Sequence, residues 1–156
     1  MQALLAGLEG TALAEALRVS RWGYAAVNAA HVFGIALLVG GILPLNLRAF
    51  GLWRSVPVPA LARVLVPMAA SGLAIAVLAG VLLFSVRARE YADLAVFQAK
   101  LALIIIGALS ALRLHTGHGL SLQTAGERRL AVHAAISCVC WIGALACGRL
   151  IAFAGD

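Results

Sequence analysis

Residues 28–41 of the sequence are NAAHVFGIALLVGG, an apolar run that contains one ionisable side chain, His31. The run continues on both sides, and about 20 apolar residues in a helix are enough to cross the roughly 30 Å hydrocarbon core of a bilayer. An ionisable side chain at membrane depth costs free energy and therefore marks a candidate functional site. The helix that carries His31 is thus the natural centre for an interpretation of the chain.

The composition indicates an integral membrane protein. Of the 156 residues, 63% are hydrophobic and 12% are charged, whereas soluble domains are about half apolar and about a quarter charged. A bilayer offers no hydrogen-bond partner to exposed backbone amides, so its spanning segments must be helical or closed barrels. We predict an all-α fold, a transmembrane four-helix bundle that forms a single membrane domain over residues 1–156.

The apolar runs place four spans at about residues 22–45, 61–84, 94–114 and 130–153, and residues 1–18 predict an interfacial helix on the membrane surface. Pro44 is expected to close the first span, and the segment from His115 to His118 to begin the loop after the third. Six arginines flank the loops after the first and third spans, and five lie on the other side. This bias predicts that both termini lie on the outer side of the membrane.

The net charge of +6 does not indicate nucleic-acid binding. The arginines lie at the ends of the predicted spans, as orientation signals do, and no polar segment is rich in aromatic residues. The expected surroundings are therefore a lipid bilayer, with no nucleic acid as a partner.

His31 and Lys100 are predicted to lie at one depth. His31 is nine residues past Trp22 and Lys100 is seven residues past Asp93, which corresponds to roughly 13 Å and 10 Å below the same surface. Two polar side chains at one level could share a site. The alternatives without a bound ligand are a neutral His31 bonded to a backbone carbonyl or to Asn28, and a Lys100 whose side chain extends to the interface.

Other polar residues are candidates for the same site or for a second one. Tyr24 and Asn28 share a helical face with His31, and Asn28 is expected to bind the histidine or a ligand. Arg48 is a candidate for a haem propionate or a phospholipid. The histidines at the opposite end, His115, His118 and His133, form either a second metal site or ordinary interfacial polarity. No second histidine shares the level of His31, so a bis-histidine haem site is not evident.

Three motifs carry a resemblance to known proteins. They are H-x-x-G-x-A-L-x-x-G-G at residues 31–41, F-x-x-K-L at residues 97–101 and G-R-x-I-A at residues 148–152. The pattern resembles an uncharacterised family of small four-helix bacterial inner-membrane proteins. More distantly, it is similar to the copper-resistance D family and to the bacterial membrane haem-binding protoporphyrinogen oxidase. The resemblance implies a bacterial inner membrane with periplasmic termini, bound haem b, and functional roles for His31 and Lys100.

The leading hypothesis is a haem b-binding membrane protein for electron transfer or for porphyrinogen or quinone-type redox chemistry. His31 would ligate the haem iron, and the partner would be a quinone or a redox protein. Whether the protein is a membrane oxidoreductase or a cytochrome b-like subunit stays open. The alternatives are a transporter of copper or another metal ion, and a structural anchor subunit in a homo-oligomer or larger complex.

Overall fold

The computed structural model describes residues 2–153, and in this range the chain is helical without a strand. The predicted all-α fold is confirmed. The helices are α1 (Gln2–Glu9), α2 (Ala12–Val19), α3 (Arg21–Ala49), α4 (Val58–Val86), α5 (Ala88–Ala92), α6 (Ala95–His118) and α7 (Glu127–Leu150), followed by a 3₁₀ turn at Ile151–Phe153.

Four of these helices, α3, α4, α6 and α7, are long and apolar enough to cross a membrane. Many apolar side chains of these helices are exposed. Examples are Leu78 and Val139, each 69% exposed. An apolar outer surface on long helices suits lipid as the solvent. The chain therefore has the organisation of a multi-pass membrane protein in a bilayer.

The first span differs from its prediction because Pro44 lies inside α3, which continues to Ala49. Proline removes one backbone hydrogen bond, here the bond that residue 44 would give to the carbonyl of Gly40. The helix continues because a hydrogen bond to α7 stabilises the turn beyond the proline. The side chain of Asn46, on that turn, donates a 3.0 Å hydrogen bond to Ser137 on α7.

The third span is also longer than predicted, since α6 includes His115 and His118 in its last turn. The helix ends at Gly119, whose backbone N–H donates to the carbonyl of His115 at 2.8 Å. Gly119 has φ +69°, a left-handed conformation that glycine adopts without a steric penalty. The fourth span ends earlier than predicted, with α7 finishing at Leu150.

The amino-terminal segment forms two short helices where one interfacial helix was predicted. The break falls at Gly10 and Thr11, and the Thr11 hydroxyl accepts a 3.3 Å hydrogen bond from the backbone of Ala14. This bond is a typical N-cap of α2. The segment is fastened to α5, because the Glu9 carboxylate accepts hydrogen bonds from the Arg89 guanidinium at 2.8 Å and the Arg89 backbone N–H at 2.9 Å.

We expect this attachment of α1 to α5 to be lost in acid. The Arg89 backbone N–H and guanidinium beside Glu9 hold the pKa of that carboxyl below its usual value. A folded-state pKa that is lowered gives a contribution that is complete above the ordinary glutamate pKa and is lost as the pH falls through the lowered value. A spin label at Leu4→Cys should therefore be restrained at neutral pH and become mobile in strong acid.

At neutral pH, Glu9→Gln should free the label. The control variant, Glu15→Gln, should leave the label restrained. Glu15 forms no ion pair in the part of the chain that the structure describes. Equal mobility of the label in the original protein and in Glu9→Gln would contradict the role of this ion pair.

The bundle is assembled from two close helix pairs, α3 with α4 and α6 with α7, and α3 also packs on α7. In the first pair Gly34 faces Gly72, and a Cβ atom at Gly72 would lie 2.5 Å from the backbone nitrogen of Leu38. Small residues of this kind let two helices in a membrane approach each other closely. The stacked rings of Phe84 and Phe97, with centroids 5.2 Å apart, join α4 to α6.

The two ends of the bundle carry different polar residues. The His31 end is where α3 and α6 begin and where α1, α2 and α5 lie, and the His133 end holds the loops at 50–57 and 119–126. Between them lies a cluster that we call the apolar layer, which consists of Leu38, Ile42, Ala69, Leu73, Ile104 and Trp141. Each polar group of the interior therefore belongs to one side of this layer or the other.

Candidate functional site

His31 is half-buried on α3, and its ring is fixed by a backbone group of α4. The Nδ1 atom lies 2.7 Å from the carbonyl oxygen of Ala76, so the bond to a backbone carbonyl that the alternative without a ligand predicted is present. A carbonyl oxygen only accepts hydrogen bonds, so Nδ1 carries the proton and donates. The other ring nitrogen, Nε2, then keeps its lone pair and is available as a ligand, a base or an acceptor.

Gly80 provides the space that the His31 ring occupies. It follows Ala76 by one turn of α4, and a Cβ atom at this position would lie 3.1 Å from Cε1 and 3.4 Å from Nδ1 of His31. The imidazole therefore packs against α4 at a position that has no side chain. A larger residue at position 80 would press on the ring and strain its hydrogen bond to Ala76.

Lys100 is half-buried on α6 and lies against α7. Its Nζ atom would be 3.5 Å from a Cβ atom at Gly148, and Cys147 is its neighbour. On the same interface Leu103 contacts Gly143, so Gly148 is close to the level of Lys100 itself. The side chain thus reaches the adjacent helix α7 at Gly148.

The structure places His31 and Lys100 in the half of the bundle at the His31 end. No hydrogen bond is found between the two side chains within the described residues, and His31 bonds to Ala76 instead. Each is seated against a glycine of the neighbouring helix, Gly80 for His31 and Gly148 for Lys100. The two glycines were not among the residues that the sequence predicted for the site.

Tyr24 joins an aromatic cluster at the His31 end, which consists of Tyr24, Phe84, Tyr91 and Phe97. Tyr91 stacks on Phe97 with ring centroids 6.1 Å apart, and Phe97 stacks on Phe84. Burial raises the pKa of the Tyr91 hydroxyl, and the adjacent Tyr24 raises it further. Phe97 precedes Lys100 by one helical turn, so the cluster lies between the polar pair and the end of the bundle.

Asn28 and Arg48 do not contact His31. Asn28 is exposed, and the His31 Nδ1 atom bonds to Ala76 instead. Arg48 follows His31 by seventeen residues of α3, which is about 25 Å along a helix. Its guanidinium donates to the carbonyl of Val56 at 2.7 Å and closes the loop at 50–57. Arg48 therefore lies too far along α3 to hold the propionate of a haem at His31.

The three histidines at the His133 end do not converge on one point. His118 uses both ring nitrogens in its own neighbourhood, bonding to Thr124 at 2.9 Å and accepting from Arg129 at 2.8 Å. His133 bonds to Ser110 at 2.8 Å, and His115 donates to the carbonyl of Gly119 at 3.2 Å. Within residues 2–153, no three histidine, cysteine or acidic side chains are grouped as metal ligands.

Asn46 is the buried polar residue that the sequence interpretation missed. It is 7% exposed and donates to Ser137 at 3.0 Å and to the Cys138 sulfur at 3.4 Å, both on α7. The signal was present, because Asn46 is an uncharged polar residue between apolar neighbours. It was overlooked because the span was expected to end at Pro44, which would have put Asn46 in a loop.

Comparison of the chain with protein-family models, with curated proteins and with solved structures gives no match. The assignment of residues to the site therefore rests on the contacts described above.

Proposed function

We propose that the protein binds haem b through His31 and transfers electrons, or performs porphyrinogen or quinone-type redox chemistry, in a bacterial inner membrane. The supporting observation is the 2.7 Å hydrogen bond from His31 Nδ1 to the Ala76 carbonyl. Histidines that bind metals almost always donate their other ring N–H to a carboxylate, carbonyl or water. The bond fixes both the ring orientation and the tautomer that leaves Nε2 free.

The residues around His31 fit a large planar cofactor better than a bare metal ion. Within the described residues, His31 is not part of any group of three or more histidine, cysteine or acidic side chains, whereas haem iron needs only one or two axial ligands from the protein. The aromatic cluster lies between the site and the end of the bundle, and aromatic side chains pack well against planar rings such as those of a porphyrin or a quinone.

Lys100 would have one of two roles in haem binding. Its ammonium group would pair with a carboxylate such as a haem propionate, which would offset the cost of placing a cation in the membrane. Alternatively, a neutral Lys100 amine would be a second nitrogen ligand. Its seat against Gly148 holds the amine in the same half of the bundle as His31 in both cases.

Haem b, when bound, supplies one-electron redox chemistry, and the axial ligand, hydrogen bonds and burial set its potential. The protein itself contributes the position of the histidine and the burial of the site. The Ala76 carbonyl orients the imidazole, Gly80 leaves room for it, and the apolar layer separates the site from polar groups of the His133 end.

The apolar layer also weighs against transport of a metal ion. Along α3 the order is His31, then Leu38 and Ile42 in the layer, then Asn46. A transporter needs polar groups along the whole path, and here buried or partly buried apolar side chains from all four long helices fill the middle. A structural anchor subunit is the remaining alternative, and it predicts a stable protein that binds no haem.

The proposal predicts that the detergent-purified protein has Soret and α bands in its reduced-minus-oxidised spectrum, and that His31→Ala loses them. Loss of an axial ligand or its support typically costs 10–100-fold or more in affinity, so the bands should fall by at least about tenfold. The protein must be produced with haem available. Size-exclusion chromatography establishes that the variant is still folded.

His133→Ala is the matched control, because it removes a half-buried histidine of the same protein on the other side of the apolar layer. Its spectrum should equal that of the original protein. A folded protein without haem bands would contradict the proposal and favour the anchor alternative, and bands that persist in His31→Ala would exclude His31 as the ligand.

A further inference from the structure

An open groove of about 650 Å³ lies on the surface at the His31 end, between α1, α2 and the junction of α4 with α5. Five charged side chains line it, those of Glu9, Arg18, Arg87, Arg89 and Glu90. Three arginines against two glutamates give these side chains a net charge of +1. The groove therefore has the charge to accept an anion with a single negative charge.

The groove lies at the level of the lipid headgroups. Val86, which lines it, is the last residue of α4. The 29 residues of α4 extend for about 43 Å, which exceeds the roughly 30 Å hydrocarbon core and matches the roughly 40–45 Å of a bilayer with its headgroups. At the same end, Trp22 is 84% exposed near the start of α3, as is typical of aromatic residues at this interface. The end of α4, and the groove with it, therefore faces headgroups.

Each arginine of the groove uses one nitrogen of its guanidinium group within the protein. Arg18 donates through Nη2 to two backbone carbonyls, at 3.1 and 3.2 Å. Arg89 donates through Nε to the Glu9 carboxylate at 2.8 Å. Nη1 of Arg87 lies 3.4 Å from the Glu90 carboxylate. A guanidinium has five N–H donors on its three nitrogens, so two nitrogens of each arginine keep their donors for a ligand, as far as the described residues are concerned.

Phosphate is the anion that this arrangement suits best. The planar guanidinium group binds two phosphate oxygens at once through parallel hydrogen bonds. At headgroup level the phosphates are those of phospholipids, and a phosphodiester has the single negative charge that balances the groove. Phosphatidylglycerol adds no cation to this charge, whereas the choline of phosphatidylcholine adds a positive charge that the three arginines would repel.

We propose that the groove binds the phosphate of an anionic phospholipid through Arg18, Arg87 and Arg89. Arg18 belongs to α2 and the other two arginines lie at α5, so the bound lipid joins the amino-terminal helices to the end of α4. The groove shares no residue with the His31 site and does not depend on haem binding.

The test is native mass spectrometry of the full chain, purified in detergent and titrated with phosphatidylglycerol or phosphatidylcholine. We expect phosphatidylglycerol to bind more tightly, and Arg87→Gln to weaken its binding by about fivefold, the contribution of one arginine near an anionic lipid surface. Arg87 is the residue to change because its ion pair with Glu90 is exposed, and its loss leaves the bonds between Arg89 and Glu9 intact. Binding of phosphatidylcholine should be unchanged.

A second variant, Glu90→Gln, separates lipid binding from a structural role of the ion pair. It removes the carboxylate that competes for Arg87 and raises the net charge of the groove from +1 to +2. We expect it to bind phosphatidylglycerol about fivefold more tightly, whereas an ion pair with only a structural role gives no gain in affinity. The matched control is Arg63→Gln, which removes an exposed arginine near the start of α4, at the other end of the bundle. Its lipid binding should equal that of the original protein.

Three results would overturn the proposal. Equal affinity for the two lipids would contradict the preference for an anionic headgroup. An affinity for phosphatidylglycerol that neither Arg87→Gln nor Glu90→Gln changes would contradict the groove as the site. Displacement of phosphatidylglycerol by inorganic phosphate at the same concentration would mean that the groove binds a free phosphate ion and not a lipid.

Discussion

Substitution of Gly72 by leucine is expected to prevent the correct assembly of the bundle. A Cβ atom at this position would lie 2.5 Å from the backbone nitrogen of Leu38 and 2.7 Å from the carbonyl oxygen of Gly34. Both atoms belong to the backbone of α3 and have no rotamer to change, so α3 and α4 would have to separate. Overpacking typically costs about 1–3 kcal/mol and occasionally more, and a clash with backbone is expected at the upper end of this range, which is a large part of the stability of a typical domain.

The measurement is the thermal stability of the purified protein, followed by size-exclusion chromatography after heating. Gly40→Leu is the matched control, because Gly40 lies on α3 as well but a Cβ atom there would meet nothing within 4 Å. This control should behave like the original protein. A Gly72→Leu variant that is monodisperse with an unchanged midpoint would contradict the close crossing of α3 and α4.

Substitution of Gly80 by leucine is the second large effect, and it separates function from fold. The atoms that a Cβ atom at position 80 would meet are Cε1 and Nδ1 of His31, which belong to a side chain and not to the backbone. The imidazole can therefore rotate away, and the bundle should survive. His31 would lose its hydrogen bond to Ala76, and haem binding should fall by about 10–100-fold, as expected for loss of the support of a ligand.

Gly40→Leu again provides the control, with the same change of residue at a site that faces open space. Its haem content should equal that of the original protein. Undiminished haem bands in a folded Gly80→Leu protein would mean that the seat of His31 between α3 and α4 does not matter for the cofactor.

The fold was largely predictable because lipid reduces the options for the chain. Four apolar runs can only become four helices, and the helix ends were misplaced mainly where a local signal was weaker than the packing. Pro44 is a strong stop signal in an isolated helix, but the bond between Asn46 and Ser137 on another helix stabilises the turn beyond it. Such a bond depends on how α3 meets α7, which the residues of α3 alone do not specify.

The site was predictable only in part. Helix rise along the chain predicted one depth for His31 and Lys100, and both lie on helices that begin at the same end of the bundle. It could not identify the Ala76 carbonyl as the partner of His31, because every residue has a carbonyl and only the packing of α3 on α4 selects one. The same argument applies to Gly80 and Gly148, whose role is the space that they leave for a neighbouring side chain.

The central claim is that Nε2 of His31 is the nitrogen that binds haem iron, and chemical rescue tests it most directly. The measurement is the visible spectrum of His31→Gly, produced with haem available, before and after addition of free imidazole. We predict that the variant lacks the Soret and α bands and that imidazole, in the space left by the side chain, restores them. A His31→Gly protein with the haem spectrum of the original protein in the absence of imidazole would contradict the claim.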